Sequence, residues 1–565
     1  MSPSEITWSR WNVERTECVG RRGAVASKHV LGTRAGIEVL RDGGNAIDAA
    51  VATAFTVAVV EPFMSGIGGG GFMALYDARG GGTVVIDFGM ISPRAAHQEM
   101  FPLLPGGGPT GYFGWDAVVD DANIVGHRAA AVPGAVAGLL LAHERFGRLP
   151  LARLLEPAIH YAENGVEVDW FTSYIIGTSL AELRRFPASR AVFTRDDRPL
   201  LPFMAGQGDR LVQRDLSATL RAIAAGGADA FYRGPIADAI HEDMARNGGL
   251  ITRDDLAAYR PRIIAPGLIG RYRGCTLAGI PAPSGGPTVM EMLGIMDRFD
   301  LRSLGHNSAP ALHIIAEAGL KAFGDRFAFL SDPASDRDDN APGMVDVLLD
   351  DAYLDRVSSA IDPHGPRRVL PVPDAGRDRR ERTTTTLATA DEDGNLLALT
   401  TTVMSSFGSA VLVPGTGIVL NNGMMWFDPR PGRPNSVGPA KRPLNNMSPV
   451  IVLRDNKPFM AVGAMGGRRI IGAVVAIVSN VLDYGMGMQQ ACAAPRVDLS
   501  TERVLADPRI PPDVLNDLRS RGHDVTELED TFGAFEYGSP AGILVDQGLL
   551  CTGVDPLNPA AAAAF

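Results

Sequence analysis

The chain is short of cysteine, of positive charge and of long apolar runs, and each shortage removes a class of protein. Only four of its 565 residues are cysteine: Cys18, Cys275, Cys492 and Cys551. They lie far apart, without the close spacing of metal ligands, and read as reduced thiols in a reducing compartment. No apolar stretch reaches the roughly 18 residues that span a bilayer as a helix. Lys and Arg number 53 against 64 Asp and Glu, a formal net charge of −11. That balance argues against a nucleic-acid footprint and against docking on anionic membranes. The opening residues, MSPSEITWSRWNVERTECVG, are polar and charged with no apolar core segment, which predicts a cytoplasmic protein without a secretory leader. Hydrophobic residues make up 45% of the chain and charged ones 21%, so a sizeable soluble core is within reach.

Glycine is plentiful and clustered. Residues 65–72 read SGIGGGGF. A phosphate cradle is disfavoured, because no Lys-Ser/Thr follows and the next element reads as a strand. Close backbone approach, to another strand or to a substrate, is the better account. Upstream, 27–40 predicts an amphipathic helix stopped by Gly43-Gly44, and 46–60 predicts a second helix, apolar nearly all round and therefore buried. Segments 72–76 and 83–88 predict a hairpin. From 131 to about 330 the pattern is mostly helical, with glycine stops, including one at Gly226-Gly227, and with Thr252 as an expected N-cap. Residues 332–350 and 363–382 are polar, charged and proline-bearing, which predicts a surface connector. The alanine run 560–564 predicts a frayed tail.

The stretch RERTTTTLATADEDGNLLALTTTV carries the chemistry. Residues 384–390 alternate as a strand, DEDGN (391–395) is a turn with Gly394 supplying a positive φ, and 396–403 is the return strand. Four threonines open the hairpin, directly after the charged run 377–382. The ordinary reading is a strand edge rich in β-formers. The chemical reading starts from the charged run: a solvated segment entering a buried strand can be cut and leave its new end inside. A threonine with a free α-amine carries its own general base, since that amine titrates at roughly 7.7–8.0. Further on, 463–467 (GAMGG) joins a strand to a helix expected from 468 to about 482. Paired glycines there free backbone N–H groups for an anion or a developing oxyanion.

Six segments in one order carry a resemblance: GGNAIDAAVA (43–52), GIGGGGFM (66–73), GGLITRDDLAAY (248–259), DEDGNLLALTTT (391–402), KRPLNNMSP (441–449) and GAMGGRRII (463–471). Together they resemble the γ-glutamyltransferase family of N-terminal-nucleophile hydrolases, from about residue 23 to 556. The resemblance implies an α+β fold, a four-layer αββα sandwich. It also implies a precursor cut into a large segment, 1–383, and a small one, 384–565, that form one intertwined heterodimer. The spacing to the DEDGN turn places the family's nucleophile on Thr384, with Thr383 as the fallback. The family's Thr-Thr-His is Thr384-Thr385-Thr386 here, so its histidine is missing. Thr402 matches the second threonine that supports the nucleophile, and Gly466 and Gly467 match the oxyanion-hole glycines.

The pocket departs from the pattern. Gly89 stands where the family has a carboxylate-gripping arginine, Met404 where it has an asparagine, and Trp426 where an acidic residue holds the substrate ammonium. Gly423 replaces a Gln or Glu, and Asn445-Asn446 replaces a Ser-Ser pair. Losing one partner of a buried ion pair costs several kcal/mol of discrimination, on the order of 2–5. The acyl group is therefore expected to differ from γ-glutamyl. Met404, Met424, Met425 and Trp426 suggest an apolar acyl wall; Asn445 and Asn446 are candidates to bond a carbonyl, and Arg468 or Arg469 to hold an acid. The resemblance implies a small-molecule amide substrate, water or an amine as acceptor, and no metal or organic cofactor. Glutathione hydrolysis or γ-glutamyl transfer is the nominal reaction. Cephalosporin-type and small-amide (oxamate-like) acylases are precedents for altered acyl groups. An uncut, inert scaffold or binding protein is the alternative from another class.

Overall fold

A computed structural model describes residues 13–110, 114–204, 206–335, 343–368, 383–501, 503–531 and 536–565. The charged run at 377–382 lies outside them. Two seven-stranded sheets, antiparallel throughout, face each other. The first runs Arg262–Ile264, Gly82–Phe88, Gly70–Asp77, Leu396–Thr402, Thr385–Asp391, Gly23–Ser27, Ala561–Ala564. The second runs Val19–Gly20, Leu549–Val554, Ser539–Asp546, Lys457–Met465, Val450–Arg454, Cys275–Gly279, Leu268–Tyr272.

Side-chain alternation along these strands builds the layers. On the outer face of the first sheet, Met73, Leu75, Ile86, Leu387 and Leu399 pack under the helices Ala46–Val60, Ala135–Phe146, Leu151–Asn164 and Arg214–Tyr232. Leu277, Val450, Val452 and Val462 pack likewise under Gly286–Met296, Ala309–Phe329 and Arg469–Leu482 on the far side. Between the sheets lie Ala74, Val85, Ala388 and Ala398 against Ile451, Ala461 and Ile543. The result is helix, sheet, sheet, helix, the expected αββα sandwich.

The helix Ala46–Val60 is buried at all fifteen positions. Asn45 and Asp48 close a reciprocal cap at its start. The hairpin turn is tied to the same end: Asp391 accepts from the Ala46 N–H at 2.8 Å and from the Asn395 N–H at 3.0 Å, and Thr389 donates to the Ala46 carbonyl at 2.7 Å. The strand entering at residue 385 is thus fixed from its far end.

Several expectations are corrected. The alanine run is no frayed tail. Ala561–Ala564 is an edge strand on Gly23–Ser27, and the Phe565 carbonyl accepts from Arg21, Arg22 and Gly23. Its uniform methyl side chains carry no strand-like alternation, so nothing in the sequence marks the backbone ladder. Residues 23–27 are strand, so the first helix begins at Val30. The expected glycine stop, by contrast, is present: Gly227 (φ 62°, ψ −152°) is non-helical and divides the segment Arg214–Tyr232 into two helices. The helical middle also hides Arg262–Ile264, Leu268–Tyr272 and Cys275–Gly279, three strands whose edge and half-exposed positions blur the period. Thr252 is an N-cap, bonded reciprocally with Asp255.

Candidate active site

Thr384 is 3% exposed at the head of the strand Thr385–Asp391. Its hydroxyl donates to the carbonyl of Thr383, the peptide group just before it. The hydroxyl of Thr402, at the end of the neighbouring strand, donates to the same Thr383 oxygen at 3.2 Å and lies 3.4 Å from the Thr384 hydroxyl. Thr402 in turn accepts the N–H of Met404 at 2.8 Å. Two hydroxyls and one carbonyl therefore converge on a single buried peptide bond. The register explains the meeting: Thr385 pairs with Thr401, which puts Thr384 opposite Thr402.

The glycine-rich loop makes room for this end of the hairpin. A Cβ at Gly69 would sit 2.1 Å from the Thr402 carbonyl oxygen, and one at Gly68 would sit 2.1 Å from that of Val419. The loop serves close approach to neighbouring backbone, one of the two uses anticipated.

The turn after Thr402 is strained and strapped. Met404 has a φ of 88°, rare for a side chain of its size. Thr383 donates its hydroxyl to the Met404 carbonyl. Asn422 accepts from Ser405 N–H at 3.0 Å and donates to the Ser405 hydroxyl at 2.8 Å. Asn421 donates to the Gly68 and Ala131 carbonyls at 2.7 and 2.8 Å and accepts from Gly423 N–H at 2.9 Å. These adjacent asparagines position the candidate site. Two neighbouring amides at the close of an apolar strand were the available signal.

The pocket positions sort into two groups. Met404, Met424, Met425 and Trp426 share one apolar cluster with Met90, Trp115 and Met447. Gly423 and Met90 are in contact: a Cβ on Gly423 would lie 3.2 Å from the Met90 sulfur. Gly89 is held by its N–H to Asp87 at 2.9 Å and by the Tyr259 hydroxyl on its carbonyl at 2.8 Å. Arg262 and Arg442 both reach Asp87, so guanidinium charge sits close to the place where Gly89 supplies none.

Asn445 and Asn446 are already engaged. Asn445 donates to the Pro283 carbonyl at 3.1 Å and accepts from Met447 N–H at 3.2 Å. Asn446 accepts from Arg326 at 3.0 Å. Arg326 is fully buried, and burial together with the nearby Arg468 pulls its guanidinium down to about 9. Gly466 and Gly467 have φ values of 120° and 63° and lead into the helix at Arg469. The strand before them faces the hairpin, since a Cβ on Gly463 would lie 2.3 Å from the Thr386 hydroxyl. Among the described residues, neither the glycine pair nor the asparagine pair hydrogen-bonds Thr384 in the continuous chain.

An αββα sandwich with facing antiparallel sheets and a threonine heading a central strand is the N-terminal-nucleophile hydrolase fold. The chain belongs to the gamma-glutamyltranspeptidase family, whose model matches residues 32–565. It is 39% identical over 517 residues to the Acylase ACY 1 proenzyme of Pseudomonas sp. (strain SE83), covering 91% of this chain and 88% of that protein. It is 35% identical over 529 residues to the glutathione hydrolase proenzyme of Escherichia coli (strain K12), covering 91% and 87%. The crystal structure of cephalosporin acylase from Bacillus halodurans superposes with a TM-score of 0.85 at 28% identity, over 99% of each chain. The family thus includes both hydrolases and acylases.

Proposed function

We propose that this chain is a self-processing amidohydrolase or acyl transferase with Thr384 as nucleophile. The observation that carries the reading is the placement of the Thr384 and Thr402 hydroxyls on the Thr383 carbonyl oxygen. The Thr384 oxygen attacks that carbonyl carbon, the carbon–nitrogen bond to Thr384 breaks, and the hydroxyl proton ends on the freed nitrogen. Thr402 steadies the charge that builds on the oxygen. Water then hydrolyses the ester, leaving a carboxylate on Thr383 and a free amine and hydroxyl on Thr384. The proenzyme names of the relatives agree with such a step. Both sheets take strands from before and after residue 384, so the two pieces stay interlocked as a heterodimer.

In the cut protein the Thr384 amine takes the hydroxyl proton, the oxygen attacks a substrate amide, and the acyl-enzyme passes its acyl group to water or an amine. The N–H groups of Gly466 and Gly467 receive the oxyanion. We infer an acyl group with an apolar body rather than γ-glutamyl. Gly89, Gly423 and Trp426 supply no charge for an amino-acid head group, and Met404, Met424, Met425 and Trp426 lie in a methionine-rich cluster. An acylase reading, as in the relatives so named, fits this better than glutathione hydrolysis.

The test is N-terminal sequencing and intact mass after a day at neutral pH, followed by rates on γ-glutamyl, aliphatic acyl and oxamate-like amides. The expected result is a fragment beginning at Thr384, faster turnover of aliphatic acyl amides, and one uncut, inactive chain for Thr384→Ala. Cleavage persisting in Thr384→Ala would refute the nucleophile. A stable single chain in the wild type would favour an inert scaffold.

A further inference from the structure

On the opposite side of the molecule from the hairpin's helices, three buried side chains of metal-ligating type converge. His313 and Glu317 sit four residues apart, on one face of the helix Ala309–Phe329. His523 follows a helix end, where Gly522 (φ 93°) turns the chain and the His523 N–H returns to the Leu518 carbonyl. All three are buried, at 0%, 0% and 3% exposure. One nitrogen from each ring and one carboxylate oxygen lie within 4.8 Å of one another. We propose that His313, Glu317 and His523 form a binding site for one divalent transition-metal ion of the zinc type.

The hydrogen bonding of the two rings supports this. His313 Nδ1 and His523 Nε2 are 2.8 Å apart and share one proton. Among the described residues, His313 Nε2 and His523 Nδ1 make no hydrogen bond. Whichever ring donates the shared proton, one outer nitrogen is left as a bare N–H and the other as a bare lone pair. A cation held between His313 Nδ1 and His523 Nε2 would take a lone pair from each ring in place of the single shared proton, leaving each outer nitrogen as an N–H. Two imidazoles with one carboxylate suit zinc or cobalt, whereas calcium and magnesium take all-oxygen sets. Ligands about 2.0–2.2 Å from a tetrahedral ion lie about 3.3 Å apart, so the two ring nitrogens, now at 2.8 Å, would part slightly to admit one, and a water would complete the four ligands.

The surroundings are consistent. Glu317 is oriented by the Arg368 N–H at 2.9 Å, the outer hydrogen bond that metal-binding carboxylates usually have. Arg367 and Arg521 also face the rings, with Asp362 and Asp517. Counting Glu317, that is three carboxylates against two guanidiniums, a net negative setting. The ion would join the helix at 309–329 to the segment at 521–523. If the chain is cut before Thr384, these lie on different pieces, and the metal would fasten them together. That consequence rests on the proposed cleavage, while the site itself does not.

The test uses full-length protein stripped with chelator and titrated with zinc or cobalt. Expected are about one ion bound per chain, visible absorption bands from cobalt held by nitrogen ligands, and a rise in melting temperature. The double variant His313→Gln, His523→Gln should bind at least about 100-fold more weakly. Should that variant fail to fold, Glu317→Gln serves, with weakened binding and an altered cobalt spectrum. No saturable binding to the wild type, or equal binding by a folded variant, overturns the proposal. In a cut sample, chelation should also lower the urea concentration at which the pieces separate. An uncut chain removes only this last readout, so failure of the cleavage and failure of the metal site remain distinguishable.

Discussion

Replacing Thr402 by valine removes one hydroxyl while keeping the shape of the side chain, which makes it the sharpest probe of the proposed cleavage. Two consequences can be worked from the geometry. The Met404 N–H, bonded to Thr402 at 2.8 Å, is left without that acceptor in a wholly buried turn, at about 1–3 kcal/mol of stability. The Thr383 carbonyl loses one of its two hydroxyl donors. A single oxyanion donor is worth about 10²–10³ in rate. The 3.2 Å contact is at the long end for a hydroxyl donor, so the lower figure, about 100-fold, is expected. The assay is the rate at which the small fragment appears on a denaturing gel after cell-free synthesis, with melting temperature measured in parallel. Thr402→Ser should recover most of the rate. A valine variant cut as fast as the wild type would refute the role given to the hydroxyl. If serine fails as badly as valine, the methyl group, and so the packing, is what matters.

Three further outcomes follow from the fold. Gly463→Ala places a Cβ 2.3 Å from the Thr386 hydroxyl between the sheets and should cost about 1–3 kcal/mol, with Thr386→Ala restoring part of the loss in the double variant; strictly additive losses in the unfolding midpoints would contradict it. Deleting residues 561–565 removes the ladder on Gly23–Ser27 and should cost on the order of 3 kcal/mol, read as a lower melting temperature, whereas an unchanged melt would restore the frayed-tail reading. Burial holds His313 at about 4 and His523 at about 3, below the ordinary 6.5, so between those values the unfolded chain binds more protons and stability rises with pH. In chelator, the melting temperature should therefore fall as pH drops from about 6.5 towards 4, and His313→Gln, His523→Gln should flatten that fall; an equal fall in both proteins would remove these rings as its cause.

Local signals carried far where the physics is local. The capped, all-apolar helix Ala46–Val60, the DEDGN turn and the N-cap at Thr252 each follow from a few neighbouring residues, and each is present. The readings that failed involve long-range pairing. Ala561–Ala564 has nothing in its side chains to mark it as a strand, and its partner lies more than 500 residues away. The strands at 262–279 are edges or near-edges whose exposed positions break the alternation. In the candidate site, the spacing from the turn singled out Thr384, and the motif supplied Thr402. The adjacent amides of Asn421 and Asn422 were legible but their strapping role was not, because their partners at Gly68, Ala131 and Ile124 come from remote segments.

By itself the sequence carried the family resemblance and, through it, the αββα class, along with the threonine at the head of the hairpin and the uncharged residues Gly89, Gly423 and Trp426. These are properties of residue identity and short spacing, which survive without knowledge of neighbours in space. Only the tertiary structure decided that two hydroxyls meet on the Thr383 carbonyl, that Asn445 and Asn446 are spent on backbone and on Arg326, and that His523 stands beside His313 and Glu317. Each of those joins groups through strand register or helix packing, and a distance across a core is set by the whole fold rather than by any one stretch of chain.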